Sequence, residues 1–336
     1  MRFFNRLLSK FNTPRGRFIL ALLGLSIVAI LIYHTGTENL VNALLRSTFF
    51  FPLIFVLEVL MLCCSVYALS FFYREDRKKI PLITWSKAGL LGYFIGGITP
   101  FGAALSDITK ASVLSKYSTR AQSVAAAVQY RALSLFANSF ISFFAGIAIY
   151  WISGLSIATY LIFANMFLTF IGASTILLVA TRSQIGCWLG KKFQHLQKFG
   201  EEFDGHFSNN EKKLFLKAFS IEFLGRIFQV FQNWILLLAV SGKTGFIAAF
   251  ISEGLHLGGV LVGEWLPAQL GALELNFTLS ANILNLTPTD ALSIAVLLHI
   301  AQLSLMGISA IVPCLLKDKC SNSLNLKTAV GDANLT

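Results

Sequence analysis

Runs of apolar residues long enough to cross a membrane as helices recur along the whole chain, at about 18 to 34, 49 to 73, 121 to 151, 155 to 181, 218 to 240 and 290 to 316. About 20 helical residues cross a hydrocarbon layer of about 30 Å, and within that layer a helix is one of few structures that pairs all its backbone groups internally. The expected fold class is therefore an all-α polytopic membrane protein with about six transmembrane helices. Composition agrees: 55% of the 336 residues are hydrophobic and only 13% are charged, against about 25% charged in a soluble domain.

Two further apolar segments are broken in the middle. The first, 82–119, reaches Gly97, continues Thr99-Pro100-Phe101-Gly102, and then carries Asp107, Lys110 and Lys116. The second, 244–287, runs to Gly263, then through Glu264, Pro267 and Gly271 to Glu274 and beyond. Proline removes a helical donor and glycine loosens the backbone, so neither segment reads as one straight helix. Both are expected to be re-entrant hairpins, broken at Pro100 and Gly102 and at Pro267 and Gly271.

The basic residues support that choice. The net charge of +11 would suggest nucleic acid in a soluble chain, but here the cations cluster between apolar runs, as in cytoplasmic loops facing anionic lipid. No nucleic-acid partner is expected. With six spans and two same-side hairpins, the clusters before the first run, at Arg74 to Lys79, at Arg182 to Lys217 and in the tail place 19 of the 27 Lys and Arg residues inside. Turning the first hairpin into a crossing would put the Arg182 to Lys217 cluster outside. Both termini are thus expected to be cytoplasmic. The first run lacks a small-residue cleavage site after Tyr33 and reads as an uncleaved span. The loop 182–217 repeats Ile185, Leu189, Phe193, Leu196 and Phe199 at helical spacing among lysines, the pattern of an interfacial helix.

The two broken segments also resemble each other. Pro100 precedes Asp107 by the same interval as Pro267 precedes Glu274; Arg131 and His299 then lie at matched positions in the next long span. Each half reads span, span, broken hairpin, span. Residues 1–154 form a first repeat, 155–316 a second, and 317–336 a cytoplasmic tail. Three crossings per half invert the second repeat relative to the first, and inverted repeats with matched broken helices point to a transport site near the bilayer midplane.

At these residues the chain resembles the lysylphosphatidylglycerol synthase transmembrane region family of flippase-like membrane proteins. Gly97-Ile98-Thr99-Pro100-Phe101-Gly102 with Asp107, Lys110 and Arg131 carries the likeness in the first half. Leu266-Pro267 with Gly271 and Glu274, then Leu286-Thr287-Pro288 and Ala291, carries it in the second. Members commonly have more glycine in both breaks and an arginine where Lys110 stands. The resemblance implies lipid handling in a bacterial cytoplasmic (inner) membrane, with translocation of a phospholipid or isoprenoid-linked amphiphile as the leading activity. The partner implied is a membrane lipid with an anionic or zwitterionic headgroup. Some members add a soluble aminoacyl-transferase domain; with the sequence ending at Thr336, that synthase activity is not expected.

A charge at a helix centre costs about 2.5–3.5 kcal/mol on insertion scales, so charges in apolar runs should face protein or water. The candidate substrate-binding residues are Asp107, Lys110, Arg131, Arg226, Glu264, Glu274 and His299. Asp107 and Glu274 can equally cap the second arm of each hairpin. Arg131 and Arg226 can grip a phosphate, although Arg226 also stands one turn from Glu222 and can simply pair with it. Glu253 and His256 share a helical face and suggest mutual hydrogen bonding or a proton relay. Glu58 reads as a satisfied core residue. No catalytic residue, metal or cofactor is expected: neither HExxH, GxSxG nor GxxxxGK[ST] occurs. The alternatives to translocation are a membrane-embedded lipid transferase or hydrolase, and a lipid-binding scaffold.

Overall fold

The computed structural model describes residues 26–34, 37–182, 185–193, 197–208, 212–242 and 245–316. No strand occurs among the described residues. The helices are α1 (26–34), α2 (Thr37–Ser47), α3 (Phe51–Phe71), α4 (Leu82–Ile98), α5 (Gly102–Leu114), α6 (Arg120–Ser153) and α7 (Ile157–Arg182). They continue as α8 (Ile185–Lys192), α9 (Gln197–Ser208), α10 (Lys212–Ser241), α11 (Phe246–Gly263), α12 (Ala272–Leu279) and α13 (Pro288–Leu315). Local chemistry fixes several ends. The Thr119 hydroxyl accepts the Gln122 N–H to start α6, and Thr287 accepts the Asp290 N–H at the start of α13, just before Pro288.

Six helical runs among the described residues are long and apolar enough to cross a membrane: Leu40–Phe71, Arg120–Ser153, Ile157–Thr181, Lys212–Ser241, Phe246–Gly263 and Pro288–Leu315. Five follow the spans expected from hydropathy. The sixth, α11, is the first arm of the second broken segment; at 18 residues it extends about 27 Å, close to the thickness of the apolar layer. The first expected span falls partly outside the described residues, which include it only as α1. On α7, Leu161, Phe167, Leu168, Ile171 and Leu178 all point outward, as a lipid-facing helix requires.

Both breaks are present. Between α4 and α5, Thr99 is extended and Phe101 is left-handed (φ 55°). A Cβ at Gly102 would overlap the Gly96 carbonyl, so glycine lets the two arms fold back this closely. Between α11 and α12, Ala268, Gln269 and Gly271 take φ of 52°, 58° and 84°. In each case the two arms pack on one another. The two tips also meet. The Phe101 N–H donates to the Glu264 carbonyl at 2.9 Å, and the Phe101 and Trp265 rings lie edge to face at 4.5 Å.

Packing is reciprocal. The first arm α4 lies against α13 and the first arm α11 against α6, so each broken segment leans on the long helix that follows the other. The second arms, α5 and α12, lie against the long helices that follow them, α6 and α13. At the crossing of α11 and α6, Gly254 stands against Ala145, the small-residue contact by which helices approach closely in lipid.

Two stretches differ from the sequence reading. Helix α2 is amphipathic and only 11 residues long, too short and too polar for a hydropathy scan to register. The loop 182–217 is not one interfacial helix. It folds into α8 and α9, which pack together with Gly186 against Gly200. The Asp204 carboxylate accepts the N–H groups of Gly186 and Cys187 at 2.9 and 2.8 Å, capping α8. Leu196 lies outside the described residues.

Candidate functional site

The long helices carry their polar residues near the middle of their length. On α6, Tyr130 and Leu133 belong to one apolar cluster and Ile141 to Ile149 to another, with Arg131, Ser134 and Asn138 between. On α10, Ala218 and Val230 flank Glu222, Arg226 and Gln229 in the same way. On α3, Ile54 and Ala68 flank Glu58 and Ser65, and α13 presents His299 and Gln302 at its midpoint. Together with both tips these residues line a cavity of about 300 Å³ that brings charged side chains together among apolar ones.

Of the residues expected to form a site, Lys110, Arg131, Arg226, Glu264 and His299 line this cavity, as does Gly102 at the first break. Asp107 and Glu274 do not. Each instead holds a basic residue that does, Asp107 from the wall of a neighbouring groove. The Asp107 carboxylate is 2.6 Å from Arg131 Nη2 and 3.6 Å from Lys110 Nζ, so one carboxylate serves two cations and the cluster keeps a net positive charge. Glu274 sits 2.7 Å from His299 Nδ1 while its other oxygen accepts the Gly271 N–H at 2.9 Å. Capping and side-chain pairing are thus combined in Glu274. His299 Nε2 lies 3.0 Å from the Ala268 carbonyl. Both ring nitrogens therefore face oxygen acceptors. An acid on the second arm paired with a base on the following span occurs in both halves, at the spacing read from the sequence.

Arg226 does more than pair with Glu222 at 3.3 Å: it also donates to Gln229 Oε1 at 2.7 Å and to Ser134 Oγ at 3.1 Å. Its guanidinium ties α10 to α6 across the cavity. Tyr130 extends the network, donating to Glu222 at 3.2 Å beneath the Lys110 ammonium. Glu58 is held by the Tyr93 hydroxyl at 2.7 Å and by Gln232 Nε2 at 3.0 Å, yet it also lines the cavity. Tyr93, Tyr130, Gln229, Gln232 and Asn233 were not singled out from sequence. Glu222, Arg226, Gln229 and Asn233 nonetheless recur along one face of an apolar helix, a stripe that sequence alone displays.

A second, largely apolar groove of about 620 Å³ lies between α5, α6 and α7, lined by Ala104, Ile108, Ala111, Val124 and Val128, with Asp107 and Arg120 also in its wall. Arg131 is in the wall of both hollows. No group of three or more His, Cys, Asp or Glu side chains able to hold a metal occurs among the described residues.

The sequence profile of the lysylphosphatidylglycerol synthase TM region family matches residues 18–310, nearly the whole chain. The chain belongs to this family. It is accordingly an integral membrane protein, of a lysylphosphatidylglycerol synthase TM region family whose name connects it with membrane lipids. No curated protein and no solved structure matches the chain.

Proposed function

We propose that this protein translocates an amphiphilic membrane lipid, a phospholipid or an isoprenoid-linked species, between the leaflets of a bacterial cytoplasmic membrane. The observation that carries this reading is the position of Arg131, shared by a cavity lined with charged groups on one side and a largely apolar groove on the other. An amphiphile has that same division. Its anionic or zwitterionic headgroup sits in the cavity with a phosphate against Arg131 and Lys110, and its chain lies in the groove beside Ile108 and Val124. A guanidinium offers paired donors to phosphate oxygens, and here one net positive charge is left over to receive them.

In this reading the chain is two repeats, 1–154 and 155–316, related by an inverted two-fold, with hairpins that re-enter from opposite sides and both termini cytoplasmic. Support comes from the reciprocal packing of hairpins and last spans, from the touching tips and from the clustering of Lys and Arg. The reading assigns no chemical step to any residue. Its test is reconstitution into liposomes with fluorescent lipids over a panel of headgroups, with and without a pH gradient. Translocation of at least one phosphate-bearing lipid, slowed by Arg131→Gln, is expected; no transfer of any lipid under any condition refutes it.

A further inference from the structure

On α11, two neighbouring ionisable side chains lack full partners. Glu253 is fully buried, and only one of its oxygens is engaged: Oε2 accepts from Asn233 Nδ2 at 2.8 Å and lies 3.2 Å from His256 Nδ1. Asn233 is itself fixed, since its Oδ1 accepts from Ser252. The buried Oε1 of Glu253 and the buried Nε2 of His256 have no hydrogen-bond partner. His256, 4% exposed, lines the cavity. A buried acid and a buried imidazole thus form a chain that begins at the cavity and ends inside the protein. Unpaired groups of this kind are costly to bury, and packing alone does not require them.

We propose that His256 and Glu253 form a proton-binding site in the cavity wall and that lipid translocation is coupled to protonation there; the coupling rests on the translocation reading, the proton site does not. With Nδ1–H donated to the Glu253 carboxylate, the Nε2 lone pair is left without a partner on a residue that lines the cavity. One proton arriving there converts imidazole to imidazolium, paired with a carboxylate already in place. The negative groups that favour this uptake are Glu253 on the same helix, Glu58 on α3, Glu222 on α10 and Glu264 at the end of α11. Burial of the ring opposes it most, together with Arg226 on α10, Arg131 on α6, Lys110 on α5 and, when charged, His299 on α13. A lipid phosphate that draws in Arg131 and Lys110 adds negative charge to the same small volume. Headgroup entry and proton uptake at His256 then reinforce each other.

The test uses full-length protein in nanodiscs and in liposomes. In the first, the ring nitrogens of His256 are followed by ¹⁵N NMR over about pH 5 to 8. They are assigned by the signals lost in His256→Gln or, if that variant does not fold, by those displaced in Glu253→Gln. In the second, the steady-state leaflet distribution of a translocated fluorescent lipid is measured with and without a gradient of one pH unit. One proton per cycle biases that distribution about tenfold. The expected result is titration at Nε2 and a gradient response in the wild type that is lost in Glu253→Gln and His256→Gln, each compared with its own rate at symmetric pH. A His256 ring whose protonation does not change overturns the site. Translocation indifferent to the gradient overturns the coupling but leaves the proposed function standing. If the wild type moves no lipid at all, the proposed function fails, and the titration still decides the proton site.

Discussion

The Asp107 carboxylate between Arg131 and Lys110 makes a quantitative prediction. At an effective dielectric constant of about 20, contacts of 2.6 and 3.6 Å correspond to gross attractions of about 6 and 5 kcal/mol. Desolvation cancels much of this, and removing one partner of a buried pair typically costs about 3–5 kcal/mol because the other charge is stranded. Asp107→Asn strands two cations and should fall in that range. Arg131→Gln leaves Asp107 with Lys110 and should cost only about 1.5–3 kcal/mol, the scale of one charged hydrogen bond. The double variant should cost less than the sum of the two, since the second change removes a charge that the first had orphaned. Unfolding of purified protein in detergent, followed by circular dichroism with increasing denaturant, measures all three. If Asp107→Asn costs less than about 1 kcal/mol, or if Arg131→Gln is the more damaging change, the shared-carboxylate account is wrong.

Three other outcomes follow from particular contacts. Gly102→Ala should destabilise by about 1–3 kcal/mol through overlap with the Gly96 carbonyl, whereas Gly205→Ala on α9, which has open space around it, should be neutral or slightly stabilising in the same unfolding assay. Glu274→Gln should retain the Gly271 cap and Glu274→Ala should not, so the alanine variant should be the less stable by about 1 kcal/mol. The His206 imidazole is held below its ordinary 6.5 by burial and by Arg74, whose guanidinium donates to the His206 carbonyl at 2.9 Å. Its contribution to the docking of α9 is therefore full above about pH 6.5 and declines as pH falls through that value towards the lower folded pKa. Hydrogen exchange of α9 should accelerate on acidification, and His206→Gln should flatten that dependence.

Much of this arrangement was legible in the sequence because lipid leaves a chain few options. Apolar run length located α3, α6, α7, α10 and α13, and the punctuation at Pro100 and Pro267 located both breaks. The spacing from Asp107 to Arg131 and from Glu274 to His299 announced two acid–base pairs before any distance was known. What spacing did not reveal was which member of each pair faces the cavity. That depends on how the arms pack in three dimensions, which leaves Arg131 and His299 in the cavity wall and Asp107 and Glu274 out of it. The Glu58, Tyr93 and Gln232 contact joins three helices far apart in sequence, so no local pattern foretold it. Helix α2 and the division of 182–217 into α8 and α9 escaped for a different reason: short amphipathic helices have a mean hydropathy near that of a loop.

The claim on which the account turns is that one lipid spans the Arg131 junction, head in the cavity and tail in the groove. Photoreactive phospholipids carrying the reactive group either in the headgroup or midway along an acyl chain can be reconstituted with the protein and their attachment sites mapped by mass spectrometry. The account predicts that the headgroup probe labels cavity residues such as Ser106 and Gln302, that the chain probe labels Ile108 and Val124, and that Arg131→Gln weakens both patterns together. Labelling confined to the outward face of α7 by either probe, unchanged in the variant, would contradict it.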